Sequence, residues 1–174
     1  RARARTRTRA HTGSQLCTPH GPLFIRYTPT TSDDDLGKVS LVIKVYKGGV
    51  LDRFPDGGKM SQHMGSLKVG HKLKVQGPVG MHAYLGNGVF TSGSKVLPRA
   101  SQIGMLAGGT GITPMLQLAM AILKEPDRGT SISLLYANQS EDDILCRDML
   151  DAMQEAHPRR FKVWRHTLDP PPIT

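Results

Sequence analysis

Cysteine is scarce in this chain, with Cys17 and Cys146 the two among 174 residues. That leaves no disulfide framework and points to a reducing, intracellular setting. Cys146 falls inside a helical pattern, where a buried and inert thiol is expected. The seven histidines are scattered, and His63, His71 and His82 lack the spacing of a metal-ligand set. Apolar runs stay well short of the ~20 residues a membrane-spanning helix needs. Acidic residues are missing from positions 1–32, which hold six Arg and no Lys. The formal net charge of +9 is therefore a local excess, and without those six Arg it falls to +3. A chain-wide nucleic-acid-binding surface loses its support.

What is present starts with a leader. Residues 1–10 alternate Arg with Ala and Thr and offer no apolar face. Disorder is expected over residues 1–22. An acid-free, Arg-rich start also fits a transit peptide, although no amphipathic helix accompanies it. An RNA- or lipid-binding arm would be interleaved with aromatics, and this one is not. The chain begins with Arg rather than Met, so a piece of a longer or mis-joined protein is expected.

Two halves follow, with boundaries expected at 23–95 and 96–174. In the first, Val39, Leu41, Ile43 and Val45 alternate with Ser40, Val42, Lys44 and Tyr46, which predicts a strand. Leu73 and Val75 begin another, expected to end at Gly77-Pro78. Asn87-Gly88 predicts a tight hairpin. Short strands with little helix imply a partial antiparallel barrel. In the second half, strands are expected at Ile103–Ala107, Ser131–Tyr136 and Phe161–His166. Helices are expected at Pro114–Leu123 and Asp143–His157. Alternating strand and helix imply a parallel sheet with right-handed crossovers. The fold class is thus α+β with two domains: a partial antiparallel β-barrel, then an α/β parallel sheet.

The densest signal is Ile103 to Met115, an apolar run ending in Gly108-Gly109-Thr110-Gly111-Ile112-Thr113-Pro114. Glycines let the backbone bend and approach a ligand closely. The following helix start, with free N–H groups and a positive dipole end, suits a pyrophosphate. Thr113 is expected to cap that helix and Pro114 to occupy its first position. A glycine-rich turn without a ligand would show the same pattern. A second phosphate cradle is expected at Gly57-Gly58-Lys59-Met60-Ser61, from helix-start N–H groups and the Ser61 hydroxyl. Two cradles suggest two dinucleotides.

These segments also occur in a familiar order. Tyr27-Thr28-Pro29, Ser32 to Asp35, Leu41 to Tyr46, Gly57 to Gln62, Gly108 to Gln117, Ala137-Asn138-Gln139 with Asp143-Ile144-Leu145, and Thr167-Leu168-Asp169 succeed one another. From Tyr27 to about Asp169 the chain resembles the NADH-cytochrome b5 reductase family of the ferredoxin-reductase-like superfamily. The resemblance implies FAD and NADH as cofactors and electron transfer from NADH through FAD to a one-electron acceptor. Cytochrome b5 or a similar haem protein is the implied partner.

By the same resemblance, Tyr27, Thr28 and Pro29 line the flavin, with the Thr28 hydroxyl near its reactive nitrogen in the catalytic position. Ile43, Lys44 and Tyr46 continue that wall, and Lys44 also attracts a nucleotide phosphate. Gly58, Lys59, Met60 and Ser61 hold the FAD pyrophosphate, and Thr113 reaches FAD across the domain junction. Gly108, Gly109, Thr110, Gly111 and Pro114 place NADH, and Asp169 reads its ribose hydroxyls. The setting implied for the full-length protein is the endoplasmic reticulum or mitochondrial outer membrane surface, anchored by an N-terminal segment. The flavin module of nitrate reductase is an alternative, as is an inactive fragment that cannot retain FAD.

Two departures stand out. The family pattern is Arg-x-Tyr-Thr, whereas Ile25 stands two places before Tyr27 and Arg26 one place before it. A one-residue shift on a strand turns a side chain to the other face, so Arg26 is expected to point away from the site. Upstream of Arg26 no family motif is expected, and the distal part of the nicotinamide sheet is expected to be missing.

Overall fold

The computed structural model describes residues 8–18, 21–32, 34–50, 52–126 and 129–168. Asp169 lies outside the described residues. Extended segments of the first half build one antiparallel sheet from β1 (Thr8–Thr18), β2 (Gly21–Tyr27), β3 (Val75–Gly86), β4 (Val89–Ser92) and β5 (Lys95–Val96). Their spatial order is β2-β1-β3-β4-β5, and the sheet stays open as a partial barrel. Over Thr8–Thr18 a strand stands where a disordered leader was expected; residues 1–7, 19 and 20 of that expected leader lie outside the described residues. The strand's backbone is laddered on both sides, Thr12 opposite Tyr27 of β2 and Thr8 opposite Tyr84 of β3. Pairing on two edges satisfies the backbone whatever the composition suggests.

Two local expectations also change. Residues 39–46 alternate but form no ladder beyond a bridge between Leu41 and Pro29. The segment instead serves as one wall of a cavity described below. Gly77-Pro78 does not end β3, which runs through it. The β1–β3 register shifts between His11 opposite Val79 and Gly13 opposite Gln76. Pro78 sits within that irregularity, where its missing N–H interrupts no regular ladder. Asn87 and Gly88 have φ of 53° and 73°, the paired positive values of a type I′ hairpin between β3 and β4.

The second half is a three-stranded parallel sheet of β6 (Gln102–Gly108), β7 (Ser131–Asn138) and β8 (Phe161–Thr167), in that order. Helix α2 (Ile112–Leu123) links the first pair and α3 (Arg147–Ala156) the second. One face is buried. Ile112, Leu116, Ala119 and Ile122 of α2 and Leu150 of α3 form a common core with Met105, Ala107, Ile132, Leu134, Tyr136 and Phe161 of the strands. On the opposite face, Leu106, Leu135 and Trp164 lie side by side across the sheet. They are 75%, 46% and 51% exposed.

The helix expected over Asp143–His157 is divided. A 3-10 turn covers Glu141–Asp143, and α3 begins at Arg147 after Cys146, whose φ is +58°. The Leu145 N–H donates to the Tyr136 hydroxyl at 3.2 Å instead of extending a helix. Burial pushes the Cys146 thiol pKa up, which keeps it protonated and unreactive.

The two halves are fastened at one end by Glu125. Its carboxylate accepts the Tyr84 hydroxyl at 2.9 Å and the Asn87 N–H at 3.0 Å. Buried Arg160 donates to the carbonyls of Ile122, Glu125 and Thr130 at 2.9, 3.0 and 3.2 Å. A cation there completes the carbonyl end of α2. The other end of the junction is where the site lies.

Candidate functional site

A cavity of about 650 Å³ opens where the first sheet meets the second half. Its walls come from separate elements: Ile25 to Thr28 at the end of β2, Val42 to Lys44 and Tyr46 of the non-laddered segment, and Gly57 to Ser61. Thr110 and Thr113 of the glycine turn complete it. Ile25 and Arg26 both border the cavity. Thr28 is buried. Burial, reinforced by Tyr46, raises the Tyr27 pKa.

Helix α1 (Lys59–Ser66) starts at this cavity with no side-chain cap. Its first-turn N–H groups therefore lack the oxygen a capping residue would supply. The helix start is fixed from behind. The Gly58 N–H donates to the Tyr46 carbonyl at 2.9 Å. Ser61 Oγ accepts the Tyr46 N–H at 3.1 Å and donates to the Gly58 carbonyl at 2.9 Å. The Ser61 hydroxyl is thus a strut between two chain segments. Gly57 is required here, because its φ is +67° and a Cβ would lie 2.5 Å from the Tyr46 carbonyl oxygen.

The glycine turn is a 3-10 turn, Gly109–Gly111, between β6 and α2. Gly109 alone of its glycines needs a left-handed conformation, at φ +48°. Cβ atoms placed on Gly108, Gly109 or Gly111 would meet nothing within 4 Å. The turn therefore faces open space, and Gly109 lines a cavity there. Ile112, not Pro114, is the first helical residue, and Gly111 is the cap. Thr113 Oγ1 donates back to the Thr110 carbonyl at 3.3 Å, so it braces the turn and caps nothing. Pro114 still lies within the first turn, where a missing N–H is harmless. It and Pro29 border neither cavity; Pro29 is buried at its bridge to Leu41.

A second cavity, about 260 Å³, lies at the carboxyl ends of the parallel strands, the usual ligand crevice of such sheets. Lys44, Gly109, Ala137, Asn138, Gln139, Asp143 and Leu168 line it. Lys44 borders both cavities and pairs with Asp143, joining the two halves. The Lys44 ammonium holds the Asp143 pKa down. Asn138 is 5% exposed. It lies close enough to the Tyr136 hydroxyl to influence its titration, yet neither side-chain atom reaches hydrogen-bond geometry with any group among the described residues. Tyr136, fully buried, donates to the Gly109 carbonyl at 3.0 Å and fixes the turn. The uncapped helix start and the empty hollow beside Gly109 both suit phosphate groups, so the residues present fit dinucleotides.

Comparison with known proteins agrees with this geometry. The model of the oxidoreductase FAD-binding domain matches residues 14–84, and that of the oxidoreductase NAD-binding domain matches residues 105–172. NADH-cytochrome b5 reductase 1 of Bos taurus is 54% identical over 158 residues, covering 87% of this chain and 52% of the relative. The chain belongs to the NADH-cytochrome b5 reductase family. The FAD-domain match begins at residue 14, which corrects the expectation of no family likeness upstream of Arg26. Nitrate reductase [NADH] 2 of Arabidopsis thaliana is 50% identical over 139 residues, covering 79% of this chain and 15% of that protein. The cytochrome b5 reductase domain of Ulva prolifera nitrate reductase superposes with a TM-score of 0.90 at 40% identity. It covers 96% of this chain and 63% of that one. The chain spans about half the length of the family members it matches.

Motifs found most of the two cavity walls. They missed Tyr136, whose polar tip in an otherwise aliphatic buried strand was the available signal. They also missed the pairing of Lys44 with Asp143, which lie 99 residues apart.

Proposed function

We propose that the chain binds FAD in the larger cavity and NADH across the carboxyl ends of the parallel strands. Electrons then pass from NADH through FAD to a one-electron acceptor, with cytochrome b5 as the acceptor of choice. The observation that supports this most is the shared cavity. Thr110 and Thr113, beside the nucleotide crevice, border the same space as Tyr27, Thr28 and the start of α1. FAD, when bound, supplies two-electron acceptance and one-electron release.

The chain supplies position and charge. N–H groups of Lys59, Met60 and Ser61 face the flavin pyrophosphate, with Gly58 allowing close approach. Arg26, Lys44 and Lys59 add positive charge around the same cavity. Thr28 presents its hydroxyl in the catalytic position, between walls formed by Tyr27, Ile43 and Tyr46. Gly108 to Gly111 receive the nucleotide pyrophosphate, held in place by Tyr136. Asp169 accepts the ribose hydroxyls and disfavours a 2′-phosphate. In this reading the flavin domain takes in the first sheet from β1 to β5, wider than the expected 23–95, and the nicotinamide domain is the parallel-sheet half that follows.

The test is to load the purified chain with FAD, desalt it and record the visible spectrum before and after anaerobic NADH. Retained flavin that NADH bleaches, followed by reduction of added cytochrome b5, is the expected result. Flavin lost on desalting, or retained and unbleached, overturns the proposal. The likeness to two nitrate reductases supports a second reading, the flavin module of such an enzyme. A haem domain encoded beside this segment in its gene would select it.

A further inference from the structure

Lys44 and Asp143 are the cation and the acid lining the smaller cavity among the described residues. They come from opposite halves of the chain and are paired with each other. About a third of each side chain is exposed, 32% for Lys44 and 29% for Asp143, so the pair is accessible from the crevice. The Asp143 carboxylate also accepts a hydrogen bond from Ser140 Oγ at 3.3 Å, which holds it beside β7. Gly109, whose hollow would receive a pyrophosphate, borders the same cavity. An arriving pyrophosphate therefore meets one ammonium, already engaged by a carboxylate of the same sign as the ligand.

We infer that Asp143 is a gate on the crevice: it holds Lys44 across the junction when the crevice is empty and gives Lys44 up to the nucleotide's phosphate. This rests on the reading of the crevice as the nucleotide site and adds a residue that sets its affinity. Two physical terms act in the same direction. Binding must break or share an ion pair, and the carboxylate repels the incoming dianion. Only the first requires Lys44. The coupling is reciprocal, so nucleotide binding loosens the tie between the halves to the same extent that the tie weakens binding.

A double-mutant cycle separates the two terms. The probe is ADP-ribose, which carries the pyrophosphate without redox chemistry, titrated calorimetrically into the 174-residue chain. Asp143→Asn should tighten binding about threefold, the scale of a partly exposed ion pair. Lys44→Met should weaken binding, and adding Asp143→Asn to it should restore little. Asp143→Glu, which keeps the charge, should stay near the unmodified chain. Thermal unfolding of each variant verifies the fold. An Asp143→Asn variant that binds no more tightly overturns the gate. So does an equal gain in the Lys44→Met background, which would reduce the effect to plain repulsion. If ADP-ribose binds with no such coupling, the gate fails and the nucleotide reading stands. If it does not bind the unmodified chain, both fail.

Discussion

Replacing Tyr136 by Phe removes one oxygen atom from behind the Gly109 turn. The ring is completely buried, so Phe fills the same space and creates no cavity. Two hydrogen bonds disappear, one to the Gly109 carbonyl at 3.0 Å and one from the Leu145 N–H at 3.2 Å. The losses are unequal. The Gly109 carbonyl also accepts the Ile112 N–H and keeps a partner. The Leu145 N–H, which is part-buried, loses its acceptor, at a cost in the lower part of the range of about 1–3 kcal/mol for a buried unsatisfied donor. Adding a smaller loss at Gly109 gives a destabilisation of about 2 kcal/mol. For a chain of this size that is a fall of about 4–8 °C in Tm. The turn at Gly109 would also gain freedom, so ADP-ribose affinity should drop while FAD retention stays close to normal. Scanning calorimetry and nucleotide titration on the same preparation provide the assay. A Tm within 1 °C of the unmodified chain, or lost flavin with unchanged nucleotide binding, would refute this assignment of Tyr136.

Ser61→Ala should weaken FAD binding about fivefold, because the Tyr46 N–H and Gly58 carbonyl lose a shared partner worth about 1 kcal/mol. Flavin fluorescence measures it, and Gly109→Val should show the reverse pattern, impaired NADH use with flavin retained. Gly57→Ala forces a Cβ toward the Tyr46 carbonyl in a left-handed conformation costing about 1–2 kcal/mol before any clash; flavin retention after desalting should fall sharply. Burial, together with the Glu125 carboxylate, raises the Tyr84 pKa to about 12 from 10.0. The unfolded chain therefore releases this proton first, and its contribution to stability, intact below pH 10, is lost as pH rises towards 12. Denaturant titrations across that range should show a shallower decline for Tyr84→Phe than for the unmodified chain.

Legibility in the sequence followed the range of the interactions involved. The Asn87-Gly88 hairpin and the three parallel strands were readable because positive φ and buried alternation are local properties. The two glycine turns that lead into helices were readable for the same reason, as short local runs. Strand β1 was not, because its ladder partners in β3 lie far along the chain and its composition argues for disorder. The alternation at Val39–Val45 misled in the opposite direction: side chains face a cavity and a neighbour with no second strand to pair with. The break at Cys146 carries no glycine to announce it, since the hydroxyl that captures the Leu145 N–H belongs to Tyr136.

The row of Leu106, Leu135 and Trp164 across the outer face of the parallel sheet gives the chain a built-in optical reporter. Trp164 is the single tryptophan of the sequence, and about half of it is in water. Its emission therefore reports on one place only, with no second indole to subtract. An indole in water emits to the red of one packed against apolar groups, so any segment or molecule that covers this face shifts the spectrum to the blue. Helices α2 and α3 occupy the other side of the sheet. The same indole emits where oxidised flavin absorbs, so its quenching on addition of FAD would report the separation between the two.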